Sequence, residues 1–141
     1  MLARARSCRG VWLPIVACLA VCGCQSPADP PAPPGGGQEF VLDFDRYEQD
    51  VAPVLTQYGC NAMDCHGGGI RGTYELSPGA TDPAFDFDQT SMQVNPYDLD
   101  ASPILTRPLA GSAPHAYEPF ADSTNAGYQA IRAWILAGEF Q

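Results

Sequence analysis

Apolar residues in the C-terminal two thirds of the chain recur at helical rather than alternating spacing. Phe44, Tyr47, Val51, Val54, Leu55 and Tyr58 fall mostly three or four apart, which predicts an amphipathic helix from about Asp45 to Tyr58. Asp45 with Glu48 predicts its capping box. Pro53 predicts a kink or a restart, because proline brings no N–H to the helix ladder. A second helix is expected to begin at Pro83 with Asp82 as cap, carrying Phe85, Met92 and Val94. A third is short: Ser102 caps, Pro103 fills the first turn, Ile104 and Leu105 follow, and Pro108 ends it. The last is the clearest. In STNAGYQAIRAWILAG, Tyr128, Ile131, Trp134 and Ile135 share one apolar face, as core aromatics and aliphatics do, and Gly138 marks the stop. No alternating strand pattern and no internal repeat emerge, so the expected fold class is mainly α.

The pattern changes before Phe40. Arg4, Arg6 and Arg9 precede an apolar run from Val11 to Val21. That run is too short for a stable bilayer span and has the flanks of a secretory signal. It ends Val21-Cys22-Gly23-Cys24, which resembles the lipobox of bacterial lipoproteins. The resemblance implies cleavage after residue 23 and a lipid on Cys24, with Gly23 as the small residue before the cut. In a Gram-negative envelope it also implies outer-membrane sorting, since Gln25 is not an aspartate. QSPADPPAPPGGGQ then reads as a tether, semi-extended at its prolines and flexible at its glycines. The expected organisation is a signal segment at 1–23, a lipidated cysteine and linker at 24–38, and one folded domain at 39–141. About 100 residues fold alone with a modest core, to which a buried cofactor would add apolar area.

Charge narrows the partners. There is no lysine, and beyond the signal four arginines face sixteen acidic residues, a net charge of −12. Such a surface disfavours nucleic acid and anionic lipid and suits a basic partner protein.

Cysteine usage narrows the chemistry. Of six cysteines, Cys8, Cys18 and Cys22 leave with the signal and Cys24 takes the lipid, so Cys60 and Cys65 remain. In an exported protein such a pair reads first as a disulfide. However, GCNAMDCHGGG sets His66 directly after Cys65, in a chain with only two histidines. Covalent haem attachment uses two thiols and a histidine beside the second, commonly as C-x-x-C-H, with that histidine as proximal ligand. Here the Cys-His step is kept and the gap between thiols is four residues. Zinc held by Cys60, Cys65, His66 and His115 is a further reading, opposed by the oxidising compartment. No supporting Ser/His/Asp set, phosphate loop or nucleotide fingerprint accompanies these residues, so no enzyme is expected.

DVAPVLTQYGCNAMDCHGGG, followed by SPILTRPLAGSAPH and GYQAIRAWILAG, resembles the small cytochrome c-like modules of planctomycete and myxobacterial exported proteins. One subgroup of these shares the four-residue gap. The likeness runs over nearly all of 40–138. It implies a small helical domain around one covalent haem c, with Cys60 and Cys65 as thioether attachment points and His66 as proximal ligand. His115, in the loop ahead of the terminal helix, stands where the distal ligand is expected, with Met92 as its rival. Met63, between the attachment cysteines, is too constrained to cross the haem plane. Gly67, Gly68 and Gly69 are either a plain turn or a close passage of backbone beside the haem. The implied function is one-electron transfer at the cell envelope by a single-haem c-type cytochrome. Its alternatives are a haem-free, disulfide-pinned scaffold or binding lipoprotein, and a peroxidase-like haem enzyme with an open distal site.

Overall fold

A computed structural model of the protein describes residues 37–69, 73–112 and 114–141. The expected signal segment, Cys24 and most of the linker lie outside the described residues. The fold is mainly helical. Helix α1 (Phe44–Arg46) passes through a π-turn (Tyr47–Val51) into α2 (Ala52–Gln57). Its cap is Asp43 rather than Asp45: the Asp43 carboxylate accepts the Arg46 N–H at 2.8 Å. The expected break at Pro53 takes the form of the π-turn, which ends just before it and leaves Pro53 in the first turn of α2, where an N–H is dispensable. The wider turn also keeps Tyr47, Val51 and Leu55 on one face, and all three are buried.

Helix α3 (Pro83–Ser91) starts as expected, with Asp82 accepting the Phe85 N–H at 3.1 Å. Its buried positions are Asp86 and Thr90, not Phe85 and Met92. A 3₁₀ turn (Leu99–Ala101) leads to α4 (Pro103–Thr106), which buries Ile104 and Leu105. Ser102 stands at the cap position, but its hydroxyl accepts the Asn95 N–H at 3.0 Å, so it ties down the preceding loop instead of the helix.

Helix α5 (Ala126–Leu136) buries the face predicted for it: Tyr128, Ile131, Trp134 and Ile135. Trp134 lies against Tyr47 and Phe87, at centroid distances of 5.6 and 6.2 Å. Its indole N–H donates to the Asp43 carbonyl at 2.9 Å, which fixes the terminal helix to the start of α1. Burying a large apolar side chain this fully contributes about 1.5–3 kcal/mol. The helix ends at Leu136 with Ala137 as its cap, so Gly138 follows the stop as expected, and it serves a second purpose. A Cβ there would lie 2.5 Å from the Phe40 ring, so glycine permits the close approach of two short strands. These are β1 (Phe40–Val41) and β2 (Glu139–Phe140), antiparallel with Phe40 opposite Phe140. Two residues each are too few to leave an alternating pattern in the sequence.

Candidate functional site

The loop after α2 folds the four residues between the cysteines into a turn. Gly59, at φ +70°, turns the chain off the helix in the left-handed region that glycine tolerates. Inside the loop the Cys65 N–H donates to Ala62 at 2.9 Å, Gly67 to Ala62 at 3.0 Å, and His66 back to the Cys60 carbonyl at 2.9 Å. The residues between the thiols are thus held in a closed turn, and Cys60 and Cys65 both face the same cavity. Gly67 and Gly68 are needed by that turn. A Cβ on Gly67 would lie 2.0 Å from the Asn61 carbonyl oxygen, and one on Gly68 would lie 1.6 Å from that of Met63. Their close passage is against the loop's own backbone, not beside the cavity, which neither lines.

Both cysteines are free and half-buried, without the disulfide of the alternative reading. Burial, and then the charge of Cys65, push the Cys60 thiol up to about 11. Cys60 is therefore protonated at neutral pH, unlike a catalytic thiolate.

His66 is oriented from behind. Its Nδ1–H donates to the Tyr74 carbonyl at 2.9 Å, which puts the ring's lone pair on Nε2. Tyr74 packs on the imidazole at a centroid distance of 4.6 Å and is itself anchored to α3. The Thr90 hydroxyl donates to the Asp86 carbonyl at 2.7 Å. It has only one hydrogen, so it accepts from the Tyr74 hydroxyl at 3.0 Å and from the more distant Tyr47 hydroxyl at 3.5 Å. The buried Asp86 carboxylate accepts from the Ser77 hydroxyl at 2.8 Å and from the Ser77 N–H. The Leu76 N–H donates to the His66 carbonyl at 2.9 Å, closing the support. Burial, opposed by the Thr90 hydrogen bond, pushes Tyr47 up to about 12 and raises Tyr74 well above the usual phenol range. Both phenols stay neutral donors. None of Tyr74, Thr90 and Asp86 was singled out from the sequence, since their spacings match no motif.

His115 reaches the same place from the other half of the chain. The loop carrying it is pinched at its base, where Phe120 donates to the Pro108 carbonyl at 3.1 Å and Ala110 to the Phe120 carbonyl at 2.9 Å. Its Nδ1–H donates to the Tyr117 carbonyl, so this ring also carries its lone pair on Nε2. The two imidazoles lie 6.0 Å apart, centroid to centroid, with their planes 22° from parallel. They share a cavity of about 510 Å³ with Cys60 and Cys65, walled by Leu55, Ile104, Phe120 and Ile131. That volume is typical of sites for small molecules and cofactors. A shallower hollow of about 520 Å³ between α2 and α3 holds no cysteine or histidine.

The other candidates lie elsewhere. Met92 follows α3, is 63 % exposed and does not line the cavity. Met63 is exposed, while Tyr128 and Trp134 belong to the core and also do not line the cavity. Among the described residues no three Cys, His, Asp or Glu side chains converge to hold a bare metal ion, so the four-ligand zinc set is not assembled. Two thiols and two carbonyl-oriented imidazoles on an apolar cavity form a different donor set. They fit a large flat ligand that brings most of its metal's ligands with it. No protein-family model, no curated protein and no solved structure matches this chain, so its functional reading rests on these residues and their geometry.

Proposed function

We propose that the domain is a single-haem c-type cytochrome that carries electrons at the cell envelope. The observation that carries this reading is the meeting of Cys60, Cys65, His66 and His115 in one apolar cavity, each histidine held by a carbonyl at Nδ1. In this reading the two thiols hold the haem covalently, His66 is the proximal ligand and His115 the distal one. Haem supplies a one-electron couple, while the protein supplies ligation, orientation and a dry surround. Carbonyl acceptors behind both rings raise their basicity as ligands and fix the nitrogen they present. Bis-histidine ligation sets a lower potential than methionine/histidine ligation, and the exposure of Met92 favours His115. The acidic surface steers a basic redox partner. A lipid on Cys24 and the linker after it tether the domain to the envelope, in the outer membrane of a Gram-negative cell.

The test is the full chain co-expressed with a cytochrome c maturation system. The expected product has gained the mass of one haem, gives a c-type pyridine haemochrome and is low-spin in the ferric state. His115→Ala should turn it high-spin, and Met92→Ala should leave it unchanged. Colourless protein with Cys60 and Cys65 oxidised to a disulfide would overturn the reading in favour of a scaffold. A high-spin wild type would replace electron transfer with an open-site haem enzyme.

A further inference from the structure

The described residues include three arginines, and two have carboxylate partners. Arg132 forms a two-pronged pair with Asp100, Nε to Oδ1 at 2.7 Å and Nη2 to Oδ2 at 3.2 Å. Arg46 lies 3.8 Å from Asp50 on the next turn. Arg107 is different: among the described residues it has no ion pair and no side-chain hydrogen bond. That is informative in residues 39–141, where fifteen carboxylates surround four arginines.

The cause is its place at the end of α4, as the C-cap residue. Pro103 and Ile104 of α4, with Arg107 and Pro108 just after it, all line the cavity. Arg107 is exposed, so it stands at the mouth, while Ile104 in the helix before it is buried. The one acidic residue on the cavity wall, Asp64, is not within ion-pair distance of it. Among the described residues, the apolar cavity thus carries at its rim one cation, Arg107, without a counter-charge.

We infer that Arg107 binds a carboxylate of the cavity's ligand. The ligand is then a flat, largely apolar ring system with an acidic edge, seated with that edge at the mouth. Given the haem reading, on which this rests, the group is a propionate of the porphyrin. The apolar wall cannot take an unpaired carboxylate. At the mouth the charge stays wet and meets a planar guanidinium whose fork matches carboxylate geometry. Asp64 repels the same group, which favours the orientation toward Arg107.

The experiment uses the full chain made without haem-attachment machinery, titrated with ferric haem or with its dimethyl ester and followed at the Soret band. Wild-type protein should bind the free acid about three- to tenfold more tightly than the ester, the range for a partly exposed, two-pronged ion pair. Arg107→Gln should bring that ratio to about one, and Arg107→Lys should keep part of it. Unchanged far-ultraviolet circular dichroism in both variants is expected, since Arg107 supports nothing else. A wild-type ratio of one, or a ratio that survives Arg107→Gln, overturns the proposal. If wild-type protein binds neither porphyrin, this inference is overturned, while the haem reading is decided separately by the product of co-expression with the maturation system.

Discussion

Three neighbouring glycines in the cysteine loop differ in what they demand. At Gly67 and Gly68 the obstacle is steric, because a Cβ would sit 2.0 Å and 1.6 Å from carbonyl oxygens of the same loop. At Gly69 nothing lies within 4 Å, but φ is +94°, so the obstacle is the backbone conformation itself. Gly67→Ala or Gly68→Ala should cost about 3 kcal/mol, the upper part of the range for overpacking. Gly69→Ala should cost about 1–2 kcal/mol, the penalty of a left-handed conformation. Urea unfolding followed by circular dichroism would rank the three, and equal losses would refute this division. The glycine run was visible in the sequence as a turn or as a close passage. Which surface it passes could not be read there, because the opposing atoms are backbone carbonyls, and every residue has one.

At the scale of elements, one side chain ties the end of the first helical segment to the start of the last. Asn125 caps α5 by accepting the Gly127 N–H at 2.9 Å and the Tyr128 N–H at 3.4 Å. The same oxygen accepts the Tyr58 hydroxyl from the end of α2 at 3.0 Å. Asn125→Ala should therefore cost about 2 kcal/mol, the upper end for a lost cap. Tyr58→Phe should cost less, since the cap survives; a thermal-melt comparison checks the order. Helix α5 was legible because its apolar residues repeat at 3.6 and almost all of them are buried. The cap of α1 was misplaced by two residues because Asp43 and Asp45 are both acceptable caps locally. Trp134 binds the Asp43 carbonyl from 91 positions away, a tertiary tie that no local pattern records. The two site histidines were legible by their scarcity and by the Cys-His step. The Tyr74–Thr90 support behind His66 was not, because ordinary Tyr and Thr become a positioning device only once α3 folds against that segment.

Over the whole molecule, alkaline pH should be the weak side of stability. Tyr47 is pushed up to about 12, chiefly by burial, whereas an unfolded tyrosine titrates near 10. Its neutral form contributes stability that is whole below about pH 10 and is lost as pH rises through about 12. Urea unfolding between pH 8 and 12 should show little change at first and then a steady fall. Tyr47→Phe, with no proton to lose, should make that fall shallower. A further consequence follows from the burial of Trp134. It is the only tryptophan after Trp12, which belongs to the expected signal segment, and it is 1 % exposed. With the expected signal segment removed, Trp134 would be the single indole, three residues along α5 from the Ile131 that walls the cavity. Unfolding brings the indole into water and moves its emission to the red. A strongly absorbing ring seated in the cavity drains the same emission by energy transfer without moving it, so colour reports the fold and brightness reports the ligand.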